Sequence, residues 1–413
     1  MNTLSQELKW RGFVNQTTFK NIEELDNEPI TFYWGVDPSA SSMHIGQLAM
    51  AMMIKQFIKY GHKPILLVGG ATGMIGDPDG KDNERDLKSV EEVDNNKRQI
   101  AKQYKHLFNG YKFEIVDNYD WFKNINYLDF LRNIGKVVPM SQMLGRDFVQ
   151  TRLGEQGSGI SYAEFSYSLI QGYDFLHLFR NNNVSLQVCG SDQWSNSIAG
   201  VELIRKLENK EAHIWTAPLI INKSTGKKFG KSEAGAIWLD EELTSVYQFY
   251  QFWLNVDDQG VEDYLKIYTM LGQEEITKIM SAFNEKPEER LAQKTLAHEV
   301  TSIVHGQERA TSVQRISEVL FGNISYEALT KNDFHELSSE IPVISYNKQP
   351  LIDLLAEGKL ASSKGEARRF LEAGAVYING EKVTGDSYIS DSQFINDFLI
   401  IRRGKNSQVL IKK

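Results

Sequence analysis

Two segments of the chain combine residue types and spacings suited to a polyphosphate. The first, Asp37–Gln47, reads DPSASSMHIGQ and lies where the apolar, β-rich stretch Ile30–Val36 gives way to a helical pattern. A helix N-terminus offers unpaired N–H groups and the positive end of a dipole, both of which attract phosphate. Ser39 and His44 can add donors there. Gly46, in the first helical turn, costs helix stability and is expected where something must approach the backbone closely. The second segment, Lys227–Ser232, reads KKFGKS and sets three lysines among glycines and hydroxyls with few apolar anchors. Such a strip could close over β- and γ-phosphates and stabilise charge on a departing pyrophosphate. Taken singly, the two segments also fit a capped helix and a solvated lysine loop. Their joint presence favours a nucleotide site.

A third group suits an amino-acid substrate. Tyr167, Gln171 and Asp174 are spaced i, i+4 and i+7, so they share one helical face and can line a pocket together. The carboxylate of Asp174 is a strong acceptor for a phenol hydroxyl, and Tyr33, at the end of the first strand, can supply a second polar contact from the opposite wall. GSDQW, Gly190–Trp194, follows the strand Ser185–Val188, where a glycine permits close approach and Asp192 can accept ribose hydroxyls.

The elements that must hold these residues read as strand, helix, strand from 30 to 70. A helix begins near His44, capped by Ser41 or Ser42 and burying Ile45, Leu48, Met52 and Met53; Gly61 ends it and the apolar strand Pro64–Val68 follows. This is a βαβ unit, which implies an α/β fold with a parallel sheet. Phe113–Val116, Ser185–Val188 and Leu219–Ile221 read as further strands. From about 245 the pattern is helical, with Leu296, Val300, Ile303 and Val304 running to Gly306 and Val313, Ile316, Val319 and Leu320 to Gly322. The expected division is a catalytic domain over 1–222 with a helical insertion at about 115–155, the KFGKS loop over 223–240, a helical domain over 241–325, a polar linker over 326–349 and a small α+β domain over 350–413.

In the last of these, Ser363 and Glu366 stand in capping-box spacing, Lys364, Arg368 and Arg369 make one helical edge basic, and Asn379-Gly380 favours a type I′ hairpin. Residues 349–413 carry ten Lys and Arg against eight Asp and Glu, while the whole chain is at −8. An acidic body with a mildly basic tail suits one local RNA contact and argues against a coat of nonspecific ones. The single cysteine, Cys189, excludes an internal disulfide and suits a reducing cytoplasm; no apolar run reaches the roughly 20 residues of a membrane span, and the N-terminus is too polar for a secretory signal.

HIGQ followed by KFGKS resembles the paired signatures of class I aminoacyl-tRNA synthetases. YWGVDPSASSMHIG, GGATGMIGDPDGK, YAEFSYSLIQGYDF and GSDQW resemble the bacterial tyrosyl branch, from about residue 5 to the C-terminus. The resemblance implies a Rossmann-like doubly wound parallel sheet, then a helical anticodon-region domain and a small S4-like RNA-binding domain. It implies L-tyrosine, ATP and tRNA(Tyr) as partners, a homodimer formed through the 115–155 insertion, Mg²⁺ arriving with ATP, no tightly bound protein metal, no membrane, and a cytoplasmic location. By the same resemblance Ser39, His44, Lys81, Arg85, Lys228 and Lys231 serve the phosphates, while Tyr33 and Asp174 flank the tyrosine hydroxyl. Asp77, Tyr167 and Gln171 hold the α-ammonium; Gly35, Asp37, Gly46, Gln47, Gly190, Asp192, Gln193 and Lys231 border the adenylate; and Lys364, Arg368 and Arg369 meet RNA.

Two positions depart from the pattern, both expected beside the ribose or adenine. Gln47 stands where the signature has His or Asn, and Trp34 where many relatives have a small residue. A tryptophanyl synthetase would share the architecture, but Tyr33 with Asp174 suits a phenol better than an indole. A binding-only paralogue would have lost the cationic loops, and a resistance-type second copy would differ in its response to inhibitors.

Overall fold

The structure, a computed structural model, describes residues 2–78, 88–145, 147–154, 157–232, 235–321, 324–404 and 407–413. It divides into two compact units, Met1–Thr244 with Val256–Ala292, and Ser245–Asn255 with Gln293–Lys413.

Helix α1 (Leu4–Arg11) precedes an alternating series: β1 (Thr31–Val36), α2 (Ile45–Lys59), β2 (Lys63–Val68), α3 (Gly70–Ile75), α4 (Val90–Leu107) and β3 (Glu114–Asp117). Short helices α5 (Tyr119–Phe122), α6 (Tyr127–Asn133), α7 (Met140–Leu144) and α8 (Asp147–Leu153) lead to α9 (Tyr162–Asn182), β4 (Leu186–Gly190), α10 (Trp194–Glu208) and β5 (His213–Ala217). The five strands are parallel in the order β3-β2-β1-β4-β5.

Successive residues of β1 explain why helices cover both faces. Phe32 meets Phe57 of α2 at 5.1 Å and Trp34 meets Tyr104 of α4 at 5.3 Å, whereas Tyr33 meets Phe175 of α9 at 5.4 Å. Strand order reverses between β1 and β4, so the crevice for a ligand lies beyond the C-terminal ends of those two strands. The strand expected at Leu219–Ile221 is instead His213–Ala217. Ile214 and Trp215 are wholly buried there, while Leu219 and Ile221 remain 42% and 53% exposed. Burial, more than local β-propensity, selects the strand.

The chain continues through the antiparallel strands β6 (Lys231–Ser232) and β7 (Gly235–Ala236), then α11 (Val246–Leu254), α12 (Val261–Tyr268), α13 (Gln273–Glu285), α14 (Leu291–His305), α15 (Gln307–Phe321), α16 (Lys331–Ser338) and β8 (Val343–Ser345). It closes with α17 (Leu351–Glu357), α18 (Lys364–Glu372), β9 (Val376–Ile378), β10 (Glu381–Val383), β11 (Phe398–Arg403) and β12 (Ser407–Lys412).

In the second unit a sheet of order β10-β9-β11-β12-β8 packs Leu399, Ile401, Val409 and Ile411 against Leu351, Leu355 and Leu371 of its helices. The stretch 326–349, expected to be a linker, is folded. It contains α16, and β8 pairs in parallel with β12. Its few apolar residues are well placed: Phe334 and Leu337 are buried with Phe398 and Ile400. Asn379 and Gly380, at φ 45° and 85°, make the expected tight turn between β9 and β10.

Candidate active site

At the tip of α2 the cap is His44 itself, and neither Ser41 nor Ser42 serves. Its Nδ1 accepts from the Gly46 N–H at 2.9 Å, and Gln47 Oε1 accepts from the His44 N–H at 2.9 Å, so the two side chains form a reciprocal box. With Nδ1 used as an acceptor, the ring's proton resides on Nε2, a donor suited to a phosphate. The close approach that Gly46 allows is that of the His44 ring, because a Cβ at 46 would lie 2.6 Å from His44 Cε1. Ser42 is buried and turned to other work, while Ser39 is exposed on the loop before the helix.

The lysine loop is more firmly seated than its composition suggests. Phe229 is 8% exposed and stacks on Tyr264 of α12, centroids 4.2 Å apart. Asn222 Oδ1 accepts from the Ser224 and Thr225 N–H groups, and Ile221 bridges Lys228. Gly230 sits at φ +93°, where a side chain would be strained, and a Cβ there would meet Ile45 Cγ1 at 2.7 Å. Beyond the loop, the Ile45 N–H donates to Ile237 O at 3.0 Å and the Leu239 N–H to Met43 O at 2.9 Å. Backbone pairing thus brings Lys228–Ser232 to the tip of α2, across some 180 residues of sequence. Lys228 is exposed. Lys81 and Arg85 lie outside the described residues.

The α9 residues join a buried polar cluster, the candidate amino-acid pocket. Asp174, 2% exposed, accepts from Asn118 Nδ2 at 3.0 Å and Trp121 Nε1 at 2.9 Å. Burial pushes its carboxyl well above the ordinary carboxylate range, opposed by those two donors and reinforced by Asp37 and Asp117. Tyr33, also 2% exposed, is raised in pKa by burial and then by the field of Asp174, and its Oη finds no partner among the described residues. The Oε1 atoms of Gln171 and of Gln187 on β4 are likewise unpartnered and buried among the described residues. Unpaired buried polar atoms are costly, which marks this pocket as built for something that pairs with them.

Tyr167 Oη donates to Asp37 Oδ2 at 2.7 Å, and Thr72 Oγ1 donates to Asp37 Oδ1 at 2.6 Å. Asn118 Nδ2 donates to Thr72 Oγ1 at 3.0 Å, so a chain of hydrogen bonds links Tyr167 to Asp174. Asp77 accepts from Gln193 Nε2 at 2.7 Å, placing GSDQW beside the same pocket. Gly35 is exposed at the end of β1 and Gly190 is half-buried at the end of β4; Asp192 beyond it is exposed.

Trp34, expected beside the ribose or adenine, is turned into the core. It is 3% exposed and packs on Tyr104 and Phe108 of α4, on the sheet face opposite Tyr33. Strand alternation alone sends it there. Thr72, Asn118, Trp121 and Gln187 belong to the pocket and were not singled out from sequence. Asn118 carried a usable signal, because it directly follows a parallel strand on the side where ligands gather. Trp121 carried none.

In the second unit Ser363 caps α18, accepting from the Glu366 N–H at 3.2 Å, but Glu366 reaches back to Ser362 rather than to Ser363. Arg368 and Arg369 are exposed on α18, while Lys364 pairs with Asp353 at 2.8 Å. Arg402 and Arg403 of β11 lie over the rings of Tyr377 and Phe370, each at 4.9 Å.

Residues 25–322 match the model of a family described as tRNA synthetases class I (W and Y), and residues 333–411 match that of the tyrosine–tRNA ligase SYY-like C-terminal domain. The chain is 44% identical, over 98% of both chains, to a tyrosine–tRNA ligase of Levilactobacillus brevis and to one of Limosilactobacillus fermentum. Among solved structures it is similar to a C-terminally truncated mitochondrial tyrosyl-tRNA synthetase of Aspergillus nidulans, at TM-score 0.70 and 31% identity, over 78% of this chain and 95% of that one.

Proposed function

This chain belongs to the class I tRNA synthetases and, within them, to the tyrosine–tRNA ligases, and on that premise we propose how its residues divide the reaction. The reaction joins L-tyrosine to ATP with release of pyrophosphate and then transfers the tyrosyl group to the 3′ end of tRNA(Tyr). The phenol hydroxyl lies between Tyr33 Oη and the Asp174 carboxylate. The α-ammonium is held by Asp77, Tyr167 and Gln171, with Gln193 keeping Asp77 oriented. The single observation that carries this assignment is the unpartnered, buried Tyr33 Oη in the field of a buried carboxylate.

A tyrosine carboxylate oxygen attacks the α-phosphorus, and the bond to the bridging oxygen of the β-phosphate breaks. Pyrophosphate leaves with the charge, and no proton needs to move. Catalysis is therefore positioning plus stabilisation of charge. Ser39, His44, Lys228 and Lys231, with Lys81 and Arg85, act on the phosphates; Gly35, Asp37, Gly46, Gln47, Gly190 and Asp192 border the nucleotide. Mg²⁺ accompanies ATP, held by phosphate oxygens and water and offsetting triphosphate charge. The carboxylates of Asp37, Asp77 and Asp174 are each engaged with protein donors, which fits an ion carried by the nucleotide.

The working form in this reading is a cytoplasmic homodimer. Support comes from the segment of short helices, where Tyr127, Leu128, Met140 and Leu153 are 51–71% exposed, apolar side chains that a partner subunit would cover. No described helix is long and apolar enough to cross a membrane. RNA contact is assigned to Lys364, Arg368 and Arg369 in an S4-like domain. Pyrophosphate exchange with each of the twenty amino acids, followed by charging of total tRNA, tests the whole. L-tyrosine alone should support exchange and tRNA(Tyr) alone should be charged. Exchange driven by tryptophan, or by none of the twenty, would overturn the assignment.

A further inference from the structure

The loop from β1 to α2 carries Ser39 into the His44 cap, and a helix that contributes no residue to the pocket grips that loop at both ends. On α4, Asn96 and Gln103 are spaced i, i+7, two turns or about 10 Å apart along one face, among the buried Val93, Ile100, Tyr104 and Leu107. Asn96, 4% exposed, donates through Nδ2 to Pro38 O at 3.1 Å. Gln103 accepts through Oε1 from the Met43 N–H at 2.8 Å and donates through Nε2 to Ser42 Oγ at 2.8 Å. Ser42 Oγ donates to Met43 O at 2.7 Å and accepts from the Asp240 N–H at 3.1 Å. The same small cluster therefore holds both the approach to α2 and the segment that follows the lysine loop. Tyr104 Oη, donating to Leu67 O at 3.2 Å, fastens α4 to β2.

Apolar residues would fill these positions with equal burial and no demand for partners. Side-chain amides matched to backbone groups of one loop specify where that loop lies. The Pro38 carbonyl and the Met43 N–H sit on a segment with no helix ladder of its own; apart from α4, the loop is held at Asp37, at His44, and by the Leu239 and Asp240 N–H groups that donate to Met43 O and Ser42 Oγ.

We propose that Asn96 and Gln103 are positioning residues for tyrosine activation. They set Ser39 and the tip of α2 at the triphosphate and, through Ser42 and Asp240, keep the lysine loop in the same frame. The inference rests on the assignment of Ser39 and His44 to the phosphates, and its test separates the two.

In pyrophosphate exchange well below the thermal midpoint, Gln103→Leu should lower kcat about 10- to 100-fold, with KM for tyrosine held within about 2-fold. Gln103→Glu, which keeps the acceptor for the Met43 N–H, should recover most of that loss. Combined with His44→Asn, Gln103→Leu should cost less than the product of the two single effects, because both act through the helix tip. Asn96→Ala, which removes one bond at the loop's other end, reads the same split should Gln103→Leu fail to fold. An unchanged kcat, a tyrosine KM that rises in step, or strict multiplicativity would overturn the inference. If Ser39→Ala and His44→Asn themselves leave exchange intact, the phosphate assignment falls and the inference falls with it. If they lower kcat while the α4 variants do not, only the inference falls.

Discussion

In the proposed assignment, the two ends of the site face opposite problems. At the amino-acid end, Tyr33 and Asp174 are 2% exposed and Tyr167 4%, fixed on one strand and one helix, with Tyr33 Oη unpartnered among the described residues. At the phosphate end, Ser39 and Lys228 are exposed on loops. Discrimination needs desolvated groups, because an unpaired polar atom is punished only where water cannot replace the substrate. Charge stabilisation during activation needs cations that can reach a large, hydrated anion and then release it. The residues at the first end are buried, and those at the phosphate edge are reachable. A substitution at one end should therefore leave the other end's readout untouched.

The largest separation is expected from Lys231→Ala. Exchange kcat should drop by roughly 10²–10³ with tyrosine affinity unchanged, measured by pyrophosphate exchange and equilibrium binding; parallel loss of both would dissolve the division. Asp174→Asn should do the reverse, weakening tyrosine binding roughly 10- to 150-fold, the worth of a hydrogen bond to a charged group.

Its pH dependence has a defined sign. Burial raises the Asp174 pKa, so the charged acceptor is lost as pH falls through a value above the ordinary carboxylate range. Tyrosine affinity should fall on acidification in that window in the parent protein and stay flat in Asp174→Asn. A titration with the same slope in both would remove Asp174 from the pocket.

Phe229→Ala takes away the ring stacked on Tyr264 and should reduce exchange kcat about 10-fold by loosening the lysine loop. An unaltered kcat would mean that the loop finds its place without that anchor. Smallest is Tyr33→Phe. Because its hydroxyl has no partner among the described residues, stability should hold or rise slightly, while tyrosine affinity drops roughly 2- to 12-fold. A lower melting temperature with intact affinity would assign that hydroxyl to the core.

Much of the candidate site was legible because it is written in local spacing. Tyr167, Gln171 and Asp174 share a face at any helical phase, whereas the expectation for Trp34 overlooked the strand alternation that turns it away from Tyr33. The parallel sheet followed from apolar runs too continuous to face water. The misses have a common cause. His44 displaced Ser41 and Ser42 as cap because its ring can fold back over a glycine, a choice that propensity does not rank. The polar stretch 326–349 hid β8, whose pairing partner is the last strand of the chain. The lysine loop looked unanchored because the surface that receives Phe229 is the aromatic face of α12.

Local order therefore settled which side chains could share a face, where charge was concentrated, and that the fold had to be α/β. Packing settled which groups lost their water and which backbone partners met. Asp174 acquired its raised pKa from burial, against the opposing hydrogen bonds of Asn118 and Trp121, and Met43 and Ile45 met Leu239 and Ile237 only in the folded chain. Desolvation and non-local hydrogen bonding depend on everything that closes around a residue, and no periodicity along the chain encodes that.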